Sequence, residues 1–352
     1  MTMKIKLCVS LFLTLLFVSC GQPKPKEIEQ EPVSEEELIV QYAEPENLSD
    51  YSRTLVVPTM EHLIPADSNS FYCATLLFAW DEVRKIVGSS LSIPEKYRDL
   101  RLLNASTSFR DVLKPSEYKA SGEVQGDYIF ARAEFEKSLP FACQLQTYKN
   151  KLTFDRQKVA AFGVKGEDGD EMTNVVKILY YKNDNDFIIK LIPVEKEHEI
   201  VLFKTGKTYQ TMAEMSSAVD SLIELGQKEQ TVQSKKWKYQ FRVDDEVVVP
   251  VIDFDVSATF GKIIGNVFSS NSLEYEILQA WQRTAFKLNE KGAELVSQSE
   301  IICSLGVDID EDKIAPKKMI FDKPFYVMLR RTDAQNPYFC LHVVNTELLV
   351  KE

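Results

Sequence analysis

The stretch LNEKGAELVSQSEIICS, residues 288–304, alternates its side-chain character one residue at a time. Successive side chains of an extended chain point to opposite faces, so alternation of this kind marks a strand with an inside and an outside. Ala293, Leu295, Ser297, Ser299, Ile301 and Cys303 form one face, small or apolar. Glu294, Val296, Gln298, Glu300, Ile302 and Ser304 form the other, mostly polar. An acidic connection with few turn residues comes after it. The segment reads either as a strand already paired in a sheet or as a loop able to become one.

Both sides of this stretch are sheet-forming. Upstream, VVKILYYKNDNDFIIKLIP (175–193) places two β-rich runs around the polar residues Asn183 to Asp186, the composition of a hairpin. Residues 245–257, DEVVVPVIDFDVS, read as one strand in which Pro250 implies an edge or a bulge. Downstream, PFYVMLRR and YFCLHVV flank TDAQNP as a second hairpin, apolar on both faces. Residues 127–165 hold further short runs fit for strands, and 89–120 gives no clear period.

Two helices are expected. Ser68–Gly88 (SNSFYCATLLFAWDEVRKIVG) opens on capping residues, stays apolar on nearly every face through Trp80 and ends at glycine, so it reads as one buried helix. Thr211 with Glu214 forms a capping box, followed by a stripe of Met212, Met215, Val219, Leu222 and Ile223 up to Gly226. The fold class is α+β, with large mixed sheets and helices mainly toward the N-terminal side.

The 352 residues are 44% hydrophobic and 27% charged, enough apolar material for a core. Acidic residues outnumber basic ones, 53 to 42, for a formal net charge of −11, with no Lys/Arg stripe to meet nucleic acid. Lys4 and Lys6, the apolar run Leu7–Val18 and Ser19-Cys20-Gly21 read as an export signal, too short to span a bilayer. Cys20 after a small residue resembles the lipidation site of bacterial lipoproteins. Residues 21–50, rich in Glu and Pro, read as an acidic tether, with the folded domain over 51–352. These features imply an exported, lipid-anchored protein of the cell envelope or outer membrane.

The chemistry-bearing motifs are few. No GxSxG, HExxH or GxGxxG occurs, and the three His residues (His62, His198, His342) stand far apart, with His342 inside an apolar strand pattern where a satisfied core role is expected. VLFKTGKT (201–208) lacks the first glycine of a phosphate loop, since Val201 stands there. DIDED (308–312) has the opening of a calcium loop, but Lys313 and Met319 stand where such a loop needs Gly and Glu. Cys73, Cys143, Cys303 and Cys340 form no CxxC and are expected to be buried or idle thiols. The expectation is a non-enzyme without metal or cofactor.

Five of these segments, taken in order, resemble the serpins. FDKPFYVMLRRTDAQNPYFCLHVVN (321–345) is similar to the family's terminal hairpin, with Phe321, Pro324, Phe325, Val343, Val344 and Asn345 at the matching positions. AFKLNEKGAE (285–294) resembles the hinge before the reactive loop, with Glu290 and Gly292 in the family's Glu and Gly places. Residues 247–268, 175–193 and 69–80 resemble its later strand, its hydrophobic hairpin and its N-terminal central helix. The family's middle-sheet sequence is missing between about 89 and 159, so a reduced sheet is expected.

The resemblance implies a monomeric inhibitor of an extracytoplasmic serine or cysteine protease. Its reactive loop spans about 293–320, with hinge residues Glu290, Gly292, Ala293, Leu295, Ser297 and Ser299. The scissile bond is sought among Cys303, Ser304, Leu305, Gly306 and Val307. On cleavage such a loop inserts as a new central strand. Inhibitory members carry alanines where this chain has Leu295, Val296 and Gln298, which implies insertion about ten- to a hundredfold slower if each misfit costs ~1–3 kcal/mol at the barrier. The alternative implied function is a non-inhibitory envelope protein of the same fold that binds a partner or ligand.

Overall fold

Why the chain folds as a stack of mixed sheets is visible in where its apolar runs pair. A computed structural model describes residues 44–88, 90–148, 152–294 and 315–351. The largest sheet has seven strands, in the order Val176–Asn183, Asp186–Leu191, His198–Lys204, Phe325–Arg331, Phe339–Val343, Asn69–Cys73 and Thr54–Val57. Its strands are antiparallel except for the last pair. The two hairpins expected from sequence both lie in it, with His198–Lys204 between them.

A second sheet has five strands, in the order Glu46–Asn47, Ile252–Thr259, Trp281–Asn289, Gly292–Glu294 and Leu139–Pro140. Its inner face packs on the seven-stranded sheet through an aromatic chain. Phe71 lies 5.4 Å from Phe254, Phe254 6.1 Å from Phe286, and Phe286 4.7 Å from Phe339, measured between ring centroids. A third sheet of four strands runs Lys318–Ile320, Glu246–Pro250, Ala161–Lys165 and Gln146–Thr147. The compact unit begins at Glu44, so residues 44–50, assigned to the tether from sequence, contribute a short strand and a helical turn.

Three local expectations need correction. Ser68–Gly88 is not one helix: Asn69–Cys73 is a fully buried strand, and the helix runs Thr75–Val87. An all-round apolar run carries no period to tell the two apart. The strand is fixed by Asn69, whose Oδ1 accepts from the Val344 and Asn345 amides at 2.8 and 3.0 Å while its Nδ2 donates to Asn345 Oδ1 at 2.8 Å. Residues 245–257 are not one strand either. Pro250 ends a strand of the four-stranded sheet, and Ile252 begins one in the five-stranded sheet, so the proline marks a handover between layers. His342 stacks on Tyr326 at 4.2 Å, but its Nδ1 finds no hydrogen-bond partner, and burial pushes the imidazole down to about 4.

The helix Met212–Gln230 keeps its expected cap, with the Glu214 amide donating to Thr211 Oγ1 at 3.1 Å, yet it passes through Gly226 rather than ending there. Gly226 is there for contact: a Cβ at this position would lie 2.0 Å from the Leu179 carbonyl oxygen. Gly→Ala inside a helix ordinarily stabilises by about 0.5–1 kcal/mol. Gly226→Ala is expected to do the reverse, lowering stability by about 1–3 kcal/mol as the helix is levered off its sheet. Urea unfolding of the two proteins checks the sign.

Candidate functional site

The site is built at the point where the quoted stretch leaves the five-stranded sheet. Trp281–Asn289 ends in a tight turn, and the chain comes back antiparallel to itself: Asn289 pairs with Gly292, Leu288 with Ala293 and Lys287 with Glu294. On its other side the returning strand pairs antiparallel with Leu139–Pro140, Gly292 opposite Pro140 and Ala293 opposite Leu139. Gly292–Glu294 therefore sits as a wedge between two strands that are parallel to each other and about 10 Å apart, twice the inter-strand spacing. The turn is pinned on both sides. The Phe141 amide donates to the Lys291 carbonyl at 2.8 Å, the Leu145 amide to the Glu290 carbonyl at 2.9 Å, and the Lys291 amide to Asn289 Oδ1 at 2.9 Å.

Glycine is demanded at 292 on two counts. Its φ of 138° lies where side-chain-bearing residues are strained, and a Cβ would meet the Leu139 carbonyl oxygen at 2.5 Å and Pro140 Cα at 2.7 Å.

Among the described residues, no further strand pairing is seen on this edge of Trp281–Asn289 beyond the wedge. Ile252–Thr259 covers one edge of Trp281–Asn289 along its length, from Ile252 opposite Leu288 to Thr259 opposite Trp281. On the other edge only Lys287–Asn289 are paired among the described residues. A slot, a cavity of about 100 Å³, lies alongside this edge. Arg283, Thr284, Ala285 and Phe286 form one wall, Phe135 and Lys137 the other, and Ala293 closes the hinge end. Its floor is the seven-stranded sheet and its neighbour helix, through Cys73, Thr75, Leu329, Tyr338 and Phe339. A strand edge beside an apolar floor is a template for one more strand.

The second wall carries a charge on its inner face. Lys137 Nζ lies 2.5 Å from Glu117 Oε1 and 3.8 Å from Glu195. Glu117 also meets His198 Nε2 at 2.8 Å, accepts from Arg331 Nη1 at 2.9 Å, and receives the Lys114 amide at 2.7 Å. Burial pushes the Glu117 carboxyl up, but the hydrogen bonds from Lys137, the Lys114 amide and His198 outweigh it and hold the group at about 2. Burial pushes the His198 imidazole down, with Glu117 opposing. Donor atoms of Glu117, Glu195 and His198 come within 4.8 Å of one another, but Lys137 and Arg331 already sit on these carboxylates. This donor set suits an ion-pair cluster rather than a metal centre.

Of the hinge residues read from sequence, Glu290 lies in the turn, and Gly292 and Ala293 form the wedge. Leu295, Ser297 and Ser299, the scissile-bond candidates Cys303, Ser304, Leu305, Gly306 and Val307, and Cys20 all lie outside the described residues. Cys73, Cys143 and Cys340 are free thiols. Sequence reasoning missed Lys137 and Glu117. A signal existed: in ARAEFEKSL, residues 131–139, Lys137 falls in step with Ala131, Ala133, Phe135 and Leu139, and a lysine on an apolar strand face needs a partner.

No family model and no curated protein matches this sequence. Among solved structures, a thyroxine-binding globulin in complex with thyroxine aligns at 11% identity and a TM-score of 0.36, over 63% of this chain and 58% of that one. A serine protease inhibitor from Manduca sexta, serpin-12, aligns at 11% identity and a TM-score of 0.38, over 63% of this chain and 57% of that one. The chain thus spans less than two thirds of the length of both structures.

Two outcomes are expected of this geometry. Gly292→Ala is expected to lose about 1–3 kcal/mol in thermal or urea unfolding, because the wedge must move off Leu139. Glu117, held below its usual 4.5, contributes stability above about pH 4.5 that is lost as the pH falls toward about 2. Glu117→Gln is expected to flatten the pH dependence of unfolding in that window; an unchanged acid limb contradicts the assignment.

Proposed function

We propose that this chain is a serpin-like protease inhibitor, in which a target protease cuts the connection after Glu294 and the upstream arm fills the slot as a central strand. The observation that carries this reading is the register at the wedge. Continued without a slip, the pairing of Leu288 with Ala293 sets Leu295 opposite Phe286, Ser297 opposite Thr284 and Ser299 opposite Gln282. Phe286, Thr284 and Gln282 are all buried on the inner face, and Gln282 Nε2 donates to Thr284 Oγ1 at 2.9 Å. Apolar would meet apolar, and hydroxyl would meet hydroxyl and amide. In the same register Glu294 pairs with Lys287, and Gln298 would stand opposite Arg283. On the far wall the same count sets Leu295 beside Lys137 and Ser297 beside Phe135, both lining the cavity.

The chemistry belongs to the protease. Its serine or cysteine attacks the scissile carbonyl, the C–N bond breaks, and the amine takes a proton and leaves with the downstream chain. The upstream arm is then an ester or thioester of the enzyme, awaiting water. Each new backbone hydrogen bond contributes about 1 kcal/mol, so residues 295–300 entering the slot gain several kcal/mol. That gain can carry the acylated protease away from its working geometry before hydrolysis. The Leu295 side chain, bulky for such a position, has the cavity between Phe286 and Lys137 to enter. An export signal over 1–20, a lipid at Cys20 and the acidic tether would hold this inhibitor at the cell envelope; the sequence pattern supports that placement.

The test is incubation of a soluble form, residues 21–352, which leaves out the signal and Cys20, with a panel of serine and cysteine proteases. A denaturant-resistant complex joining the chain to a protease is expected, together with a rise in melting temperature of the cut protein. Cutting and stabilisation without a complex would leave a slot that fills but does not trap. Cutting between 294 and 315 with no stabilisation would remove the reading altogether.

A further inference from the structure

A hairpin outside the three main sheets leaves one strand edge uncovered along its length. Lys119–Gln125 and Tyr128–Glu134 pair antiparallel across the two-residue turn Gly126–Asp127 and lie on the helix Thr75–Val87. Gly122 is seated on that helix: a Cβ there would lie 2.7 Å from Ile86 Cδ1 and 3.3 Å from Glu82 Cβ. Tyr128–Glu134 leads directly to Phe135 and Lys137 on the slot wall. The outer edge of Lys119–Gln125 has no strand partner among the described residues, and residues 121–125 are all exposed.

Which backbone groups this edge offers follows from the turn. A two-residue turn makes the pair that closes it, Gln125 with Tyr128, hydrogen-bonded, and hydrogen-bonded pairs then alternate along the ladder. Lys119, Ser121, Glu123 and Gln125 therefore direct their amides and carbonyls to Tyr128–Glu134. Ala120, Gly122 and Val124 direct theirs outward. An edge with no register shift and no proline is a template for another strand.

The charges on the edge select the strand that fits it. Charge ordinarily guards an exposed edge by repelling a like one, but Lys119 and Glu123 stand on one face with opposite signs, so a two-fold axis between them brings each to the other. Facing residues must share a face, and outward backbone groups must meet, so two copies pair antiparallel only about a residue. Centred on Ser121, Lys119 faces Glu123 twice, and Ala120 faces Gly122 twice as the hydrogen-bonded pairs. Centred on Ala120 or Gly122, neither charge faces its opposite. Glu123 meets no cation among the described residues, only Gln125 Nε2 at 2.8 Å, whereas Lys119 lies 3.2 Å from Glu134 of its own hairpin. The Ser121-centred register thus completes a row of alternating sign, Glu134, Lys119, Glu123, running from one copy into the next.

We propose that a second copy of this chain docks on the outer edge of Lys119–Gln125, antiparallel and centred on Ser121, so that two hairpins make one four-stranded sheet. The contact is short and the dimer weak. The experiment is sedimentation equilibrium of residues 21–352, which keep the whole compact unit from Glu44, with reductant to hold Cys143 as a thiol. From about 1 μM to about 1 mM a reversible monomer–dimer equilibrium is expected, and a monomer throughout overturns the proposal. Ala120→Pro removes an outward N–H and leaves the hairpin's own ladder whole; it is expected to weaken the dimer about tenfold or more, and a dimer of unchanged strength overturns the site. Lys119→Glu and Glu123→Lys each set like charges across the axis and are expected to abolish self-association. An equimolar mixture of the two is expected to regain it, because every facing pair is again opposite in sign, a rescue that misfolded variants would not give; failure of the mixture to associate overturns the register. Amide exchange at Ala120, Gly122 and Val124 is expected to slow as concentration rises. Slow exchange that is independent of concentration would give the edge to another segment of the same chain and overturn the proposal.

Discussion

The hairpin from Asn289 to Gly292 is the constraint on which the rest depends. It turns the chain back into a space between two parallel strands, and it does so in one register. Because side chains alternate, that register decides which residues of the following stretch could face the core, and a slip of one would exchange Ala293, Leu295, Ser297 and Ser299 for Glu294, Val296, Gln298 and Glu300. Gly292 is what permits the register: its backbone angle and the absence of a Cβ let the wedge lie against the Leu139 carbonyl. Three hydrogen bonds to Glu290 and Lys291 backbone atoms and to the Asn289 side chain then leave the turn little freedom.

Buried charge is used twice in the same manner. Lys137 on the slot wall and Lys317 beside the strand Lys318–Ile320 are lysines on inward positions, each neutralised by a carboxylate at 2.5 Å. Replacing such pairs by apolar groups is often neutral for stability, whereas removing one member is costly. Their value here is geometric. Lys137 ties the wall through Glu117 to His198 and Arg331 of the seven-stranded sheet, which fixes the slot's width against the floor.

Much of this was legible beforehand, for reasons that can be named. The hairpins at 175–193 and 324–344 announce themselves by polar residues between β-rich runs, and of the alternating stretch 293–304 the described part, residues 293 and 294, lies in a strand. The Thr211–Glu214 cap is local chemistry, and its Thr211 half survives, while the Glu214 carboxylate takes the Gln210 amide instead of the Thr211 amide. What stayed hidden is non-local. NSFYC resembles a helix start because its strand character comes from Asn345, far along the chain. Pro250 marks a change of sheet, which no local pattern can announce. Glu117 lies in a stretch without period, and only the fold brings it to Lys137. Gly226 looks like a helix end until Leu179 is placed against it.

The central claim is that the slot beside Trp281–Phe286 is shaped for residues 295–300 in one register. A crystal structure of the protein cut between residues 294 and 315 tests it most directly. The account requires Leu295 opposite Phe286, Ser297 opposite Thr284 and Ser299 opposite Gln282, with Lys137 covered and still on Glu117. A cut protein in which the Trp281–Phe286 edge is bare, or is paired one residue out of step, would contradict it.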